Sequence, residues 1–283
     1  MGVPKFYKRF IEQIPNFETN VSNCFSLSMD LNGFIHACCR QIYGYGKTVD
    51  NQDIPIDKIN KIKELLRTGD PTNRLINELI LLIKSSLSNL VLDKIKPSTV
   101  LIITLDGKAP FAKCNQQRGR RFKSGYERYM KATTEFINYD ELFDTSFLTA
   151  GTDFMNLVSS TVKEWIQENK TLLPYYTVFS GSDIEGEGEH KIYKILEELK
   201  TNIINNETVE TEKDKSKTFN DQKHIIYGLD ADLCFLSMLR EYNFIWLREN
   251  FNIFNVEDCT NIKVVKKYII EIQLNEMLLL GKN

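Results

Sequence analysis

Four short apolar runs in this chain stop abruptly at an acid or a glycine. FSLSMD ends at Asp30, TVLIITLD at Asp106, YYTVFSG at Gly181 and HIIYGLD at Asp230. Each is rich in β-branched or aromatic residues and has the length of a buried strand. Between them lie helical patterns over Phe34–Ile42, Ile56–Leu66, Asn73–Leu92, Ala112–Ala132, Asp153–Asn169 and Glu189–Leu199. Strands alternating with helices predict an α/β fold, a mostly parallel central sheet with helices on both faces.

Two segments interrupt the alternation. Residues Lys200–Gln222 are polar and nearly free of large apolar side chains after Ile204, which predicts a solvated, disordered insertion between a helix and a strand. Val264–Leu280 reads as an amphipathic helix that runs into LLLGKN. An apolar helix so close to the last residue leads us to expect a single domain over 1–283, cut at its C-terminal end from a longer protein.

Composition narrows the class only a little. Of 283 residues 42% are hydrophobic and 26% charged, as in a soluble globular protein. A net charge of -2 means that any basic patch for nucleic acid must be local. Cysteines 24, 38, 39, 114, 234 and 259 form no CxxC pair and sit mostly in apolar segments, pointing to reduced core thiols in the cytoplasm or nucleus. The longest apolar segment, LINELILLIKSSLSNLVL, is broken by Glu78 and Lys84, so no membrane span is expected. Met1–Phe10 is basic and aromatic, unlike a secretory signal.

The acids carry the chemistry. Ligands of an open parallel sheet bind at the carboxyl ends of its strands, where Asp30, Asp106 and Asp230 all sit, with Asp232 two residues later. After the third run comes SGSDIEGEGEH, which places Glu187 and Glu189 among glycines at the start of a helix. A single such Asp is unremarkable, because Asp often caps the following helix. Six carboxylates converging on one edge need a compensating cation. Oxygen ligands without Cys or His favour Mg²⁺ or Mn²⁺ over zinc, and two ions side by side suit phosphodiester hydrolysis. Gly186 and Gly188 would let the backbone turn so that both glutamates face the metals, with Asp183 and Glu185 favouring the helix N-terminus.

The stretch Lys108–Lys131 holds eight basic residues and one acid, Glu127, a balance of +7. On a helix Lys113, Gln117, Arg120 and Ser124 share one face with Arg121 beside them. Paired arginines suit phosphate, and the run follows Asp106 directly, so a phosphate pocket beside a metal site is expected. His36, two turns beyond Asp30, offers a flat ring for stacking on a base. His190 and His224 are expected to be structural.

MGVPKFYKRF, MDLNGFIH, LDGKAPFAKCNQQRGRRF, GEGEHKI, YGLDADL and WLREN occur in this order from Met1 to about Asn250. Together they resemble the N-terminal conserved region of the XRN 5′→3′ exoribonucleases, which share a PIN-like fold with the flap endonucleases. The resemblance implies a processive hydrolase acting on single-stranded RNA with a 5′-monophosphate. It implies Asp30, Asp106, Glu187, Glu189, Asp230 and Asp232 as ligands of two Mg²⁺ ions, and Lys113, Gln117, Arg120 and Arg121 as the 5′-phosphate pocket. It also implies His36 as the residue that stacks on the terminal base. Glu185 departs from the family's usual proline, and the insertion is longer than the family suggests. The family's segment after LLLG supplies a further metal-ligating aspartate, which does not follow here, so the remaining region of the same protein is an implied partner. Two other readings stay open on the residues alone: a flap-type DNA nuclease, and an inactive RNA-binding fragment that lacks the last ligand.

Overall fold

In the computed structural model, residues 21–45, 71–136, 138–139, 142–206, 219–248, 259–262, 265–266 and 269 are described. The expected helix over Ile56–Leu66, most of Val264–Leu280 and residues 207–218 of the polar insertion lie outside them.

Each apolar run forms a strand, buried on both faces in the three inner ones and half-buried in the third run, Tyr176–Ser180, at the sheet edge. β1 (Ser26–Asp30) and β2 (Val100–Thr104) are buried at every position. β3 (Tyr176–Ser180), β4 (Lys223–Gly228) and β5 (Asn243–Arg248) join them in one sheet, closed at one edge by β6 (Cys259–Asn261). The order is β3-β2-β1-β4-β5-β6. β1 to β5 pair in parallel, and β6 runs antiparallel to β5.

Alternate strand residues point to two separate cores. Leu27, Met29, Leu101, Ile103, Ile225 and Ile245 face α1 (Asn32–Tyr43), α2 (Pro71–Leu87) and α4 (Asp153–Glu168). Val100, Ile102, Ile226, Phe244 and Trp246 face α5 (Gly188–Asn206) and α6 (Ala231–Met238). The expected α/β fold of PIN-like kind, with helices on both faces, is therefore present. Between β2 and α4 stands α3 (Phe111–Glu135), of which only Ala132 is buried.

Three details differ from the sequence reading. β5 was not among the expected strands, although Phe244–Leu247 is the same kind of uninterrupted apolar run. α5 continues past Leu199 to Asn206, taking in the start of the polar insertion, and Phe219 at its far end is buried in the second core. α2 passes into a π-helical stretch, Ser88–Ile95. The span Arg74–Ile95 is long and apolar enough to cross a membrane, yet its Leu79, Ile83, Leu87, Leu90, Val91 and Ile95 pack into the first core.

The chain steps outward from β1 to β2 and β3, then returns to the other side of β1 for β4. That reversal opens a crevice at the carboxyl ends of β1 and β4. Asp30 and Asp230 flank it, and Asp106 follows β2.

Candidate active site

Asn32 and Gly188 tie the strand ends together. Asp30 Oδ1 accepts from the Asn32 backbone N–H at 3.2 Å and from its side-chain Nδ2 at 3.0 Å. Asn32 Oδ1 in turn accepts from the Asp106 N–H at 3.2 Å. Asp106 Oδ1 receives the Gly188 N–H at 2.7 Å, an orphan donor at the start of α5. The Thr104 hydroxyl lies 3.1 Å from both Met29 O and Gly188 O. Together these bonds hold Asp30, Asp106 and the start of α5, where Glu187 precedes the helix and Glu189 lies in its first turn.

The glycines of the acidic stretch are required by close approach. A Cβ on Gly188 would lie 2.8 Å from Asp30 Oδ1 and 3.2 Å from Thr104 Oγ1. Gly186 has φ +105°, a left-handed backbone that side chains disfavour. It exchanges backbone bonds with the loop after Asp106: Gly107 N–H to Gly186 O at 2.9 Å, and Gly186 N–H to Lys108 O at 3.1 Å. Only glycine fits at 107, where a Cβ would sit 1.7 Å from Ile184 O.

Charges packed this tightly hold on to protons. Burial, then the neighbouring Asp106 and Asp230, push Asp30 up to about 7. Burial, the hydrogen bond with Glu187 and the charge of Asp30 push Glu189 up to about 9. Asp106 is also raised, chiefly by burial. Burial pushes Glu187 the same way, but its hydrogen bonds with Lys113 and Glu189 outweigh that and hold it below the usual range. Glu189 thus holds a proton where Glu187, beside Lys113, does not, the division expected of two carboxylates in one site.

Helix α3 divides the site into two cavities. One, of about 440 Å³, is lined by Asn32, His36, Asp106, Gln117, Arg120 and Arg121. The other, of about 660 Å³, is lined by Lys113, Glu187, Glu189, His190, Asp232 and the apolar Phe235. Asp230 is exposed at the start of α6 and its side chain makes no cap, which leaves its carboxylate available to the site. The structure thus brings the six expected carboxylates to one edge, and Gln117, Arg120 and Arg121 beside them. Lys113 is placed differently from its three companions. It does not line the arginine cavity but forms an ion pair with Glu187 and lies 3.9 Å from Glu189.

His36 lines the arginine cavity, and its Nδ1 is 3.1 Å from the Tyr45 hydroxyl, which donates to His36 O at 3.2 Å. Burial lowers its pKa to about 4, so the ring is neutral at physiological pH. Asn32 and Tyr45 were missed by the sequence reading, although Asn32 stands in the Leu-Asn-Gly that follows Asp30. His190, expected to be structural, joins the acids: one ligand atom each of Glu187, Glu189 and His190 lie within 4.8 Å of one another. His224 is structural, buried within β4 and bonded to Ser26 Oγ of β1 and to Phe219 O. Cys114 is an exception to the expected core thiols, being exposed on α3.

Comparison with known proteins gives the family. Residues 1–250 match the family described as XRN 5'-3' exonuclease N-terminus. The chain is 31% identical to 5'-3' exoribonuclease 1 of Schizosaccharomyces pombe over 263 residues, covering 88% of this chain and 17% of that protein. It is 31% identical to the human 5'-3' exoribonuclease 1, covering 88% of this chain and 13% of that protein. With the Saccharomyces cerevisiae 5'-3' exoribonuclease 1 the identity is 29%, over 84% of this chain and 14% of the relative. The chain therefore spans less than a fifth of the length of these relatives, and on the strength of the match over residues 1–250 it belongs to the XRN 5'-3' exonuclease family, whose N-terminal region it represents.

Proposed function

We propose that this chain is the nuclease part of a metal-dependent 5′→3′ exoribonuclease that removes nucleotides from RNA bearing a 5′-monophosphate. The observation that carries the reading is the pair of cavities on either side of α3, one acidic and one lined by arginines, with Asp106 in the wall of the second.

The donor set fits hard divalent cations. Burial and neighbouring carboxylates hold Asp30, Asp106 and Glu189 above ordinary carboxylate values, and a cation among them would relieve that. Asp30, Asp106, Glu187, Glu189, Asp230 and Asp232 would hold two Mg²⁺ ions, with Mn²⁺ as a substitute. Bound there, the ions would supply an activated water and charge stabilisation for the leaving oxygen.

The chain's own residues do the rest. Arg120 and Arg121, with Gln117, offer planar, multidentate donors to the terminal phosphate. Lys113, one turn earlier, lines the acidic cavity on Glu187 and is assigned to the same phosphate, which it would reach by leaving that carboxylate. The His36 ring, kept neutral by burial and oriented by Tyr45, presents a flat surface to the terminal base. Anchoring the 5′ end at a fixed distance from the acids sets the cut at the first phosphodiester bond. A cap or triphosphate is too large for that anchor.

The test is a time course on 3′-labelled RNA with 5′-monophosphate, 5′-hydroxyl or 5′-triphosphate ends, in Mg²⁺ and in EDTA. Loss of the monophosphate substrate alone, only in Mg²⁺ and not with Asp230→Asn, is the expected result. Equal activity of Asp230→Asn would remove the metal assignment. Faster cutting of a DNA flap would favour the flap-nuclease reading.

A further inference from the structure

One face of helix α3 is engaged with the rest of the chain. Ser124 Oγ lies 2.6 Å from Thr145 Oγ1, Arg128 pairs with Asp144 at 3.0 Å, and Ala132 is the one buried residue. The opposite face carries Phe122, Tyr126 and Tyr129. At 3.6 residues per turn these three side chains fall within about 60° of one another, on the far side of the helix from Ser124. They are 77%, 56% and 57% exposed, and Met130 beside them also stands in solvent. A contiguous row of large apolar side chains left in water marks a binding surface.

The make-up of the helix says what that surface binds. α3 has no Leu, Ile or Val, the residues that form an aliphatic seam between two protein helices. It has seven basic residues against Glu127 and Glu135. Exposed Arg118 and Lys123 flank the rings on either side. Lys123 approaches Glu127 only at 3.8 Å, an exposed pair worth little. Rings bordered by cations suit single-stranded nucleic acid, the rings stacking on bases and the cations meeting phosphates. We infer that the outer face of α3 is a second contact for RNA, a track on which Phe122, Tyr126 and Tyr129 stack bases of the strand beyond those held in the two cavities. The inference rests on the RNA reading proposed above and adds a surface that neither cleavage nor end recognition requires. The helix of 25 residues is about 37 Å long, and the rings follow one another about 5 Å apart along its axis, so several nucleotides of an extended strand fit against it. Every base has a flat face, so such a track takes any sequence, and its distance from the arginine cavity makes it indifferent to the 5′ end.

Binding is read in EDTA by fluorescence anisotropy on 5′-hydroxyl RNAs of about 5 and about 20 nucleotides. The proteins are the wild type, a triple variant Phe122→Ala with Tyr126→Ala and Tyr129→Ala, and a double variant Tyr126→Phe with Tyr129→Phe. The wild type is expected to bind the longer RNA about tenfold or more tightly than the shorter. The alanine variant should lose most of that advantage, and the phenylalanine variant, which keeps its rings, should retain it. All three positions are exposed, so the variants should fold as the wild type does. A wild type without the length advantage, or an alanine variant that keeps it, overturns the inference. So does a wild type that sediments as a dimer which the alanine substitutions break, because the face then belongs to a second copy of the chain. Cleavage of 5′-monophosphate RNA in Mg²⁺ separates the two claims. Cleavage with no effect of the rings on binding keeps the exonuclease and removes the track; an effect of the rings on binding with no cleavage keeps the track and counts against the exonuclease.

Discussion

The two sides of α3 handle charge in opposite ways. On the acidic side the charges are buried, held by Asn32, Thr104 and the start of α5, and shifted far from their ordinary values. On the basic side Arg120 and Arg121 are exposed on a helix that buries one residue of twenty-five. On the function proposed here, acids that share a small ion have to be brought together before it arrives, which is costly and demands a rigid sheet edge. Arginines proposed to hold a phosphate can stay in water until it binds, and a single helix suffices to present them. The acidic side should therefore be sensitive to packing and the basic side to ligand chemistry.

The largest effect expected from breaking this contrast is at Gly107. A Gly107→Ala side chain meets the Ile184 carbonyl, so the paired loops must part, with a loss of about 3 kcal/mol or more in urea unfolding. Gly119→Ala on α3, which meets nothing within 4 Å, should instead stabilise by about 0.5–1 kcal/mol. Equal effects at the two glycines would remove the contrast.

Next in size is Asp30→Asn. Relieving a buried charge should raise metal-free stability at pH 8 by on the order of 2 kcal/mol, while abolishing turnover. A stability loss in EDTA would show that the acid is not strained.

The pH dependence sharpens the same point. Asp30 and Glu189 keep their protons to about 7 and 9 when folded, so the folded state binds more protons than the unfolded chain above pH 4. His36 and His224, lowered to about 4, bind fewer than the unfolded chain, but only below their ordinary value of 6.5. Above pH 6.5 the acids set the trend, the buried thiols of Cys24, Cys39 and Cys234, pushed up to about 12, add to it as pH nears 9, and Tm in EDTA should fall steadily toward pH 9. Saturating Mg²⁺ should flatten that fall. A rising Tm over the same range would contradict the shifts.

Much of this was legible in the sequence, and for a physical reason. Strand ends are marked by the change from β-branched residues to Asp, so Asp30, Asp106 and Asp230 announced the edge on which they converge. Gly186 and Gly188 signalled a tight turn, and the turn is there. What the sequence hid depends on long-range approach. Nothing near Lys113 in the chain reveals Glu187 across the helix. The companionship of Lys113, Gln117 and Arg120 was argued from helical spacing. That spacing places residues on a face, but two cavities meet along this one. Tyr45 was invisible because its link to His36 runs through a side-chain hydroxyl past the end of α1.

The smallest effect on stability, and the most informative for function, belongs to the arginines. Arg120→Ala should leave Tm within about 1 °C, because its guanidinium is exposed. The measurement that tests the division of labour most directly is binding of 5′-phosphate and 5′-hydroxyl RNA, by fluorescence anisotropy, to the wild type, Arg120→Ala and Asp230→Asn. We expect Asp230→Asn to keep the wild-type preference for the phosphate end and Arg120→Ala to lose about tenfold of it. A preference lost in Asp230→Asn and retained in Arg120→Ala would place the phosphate on the acidic side and contradict the account.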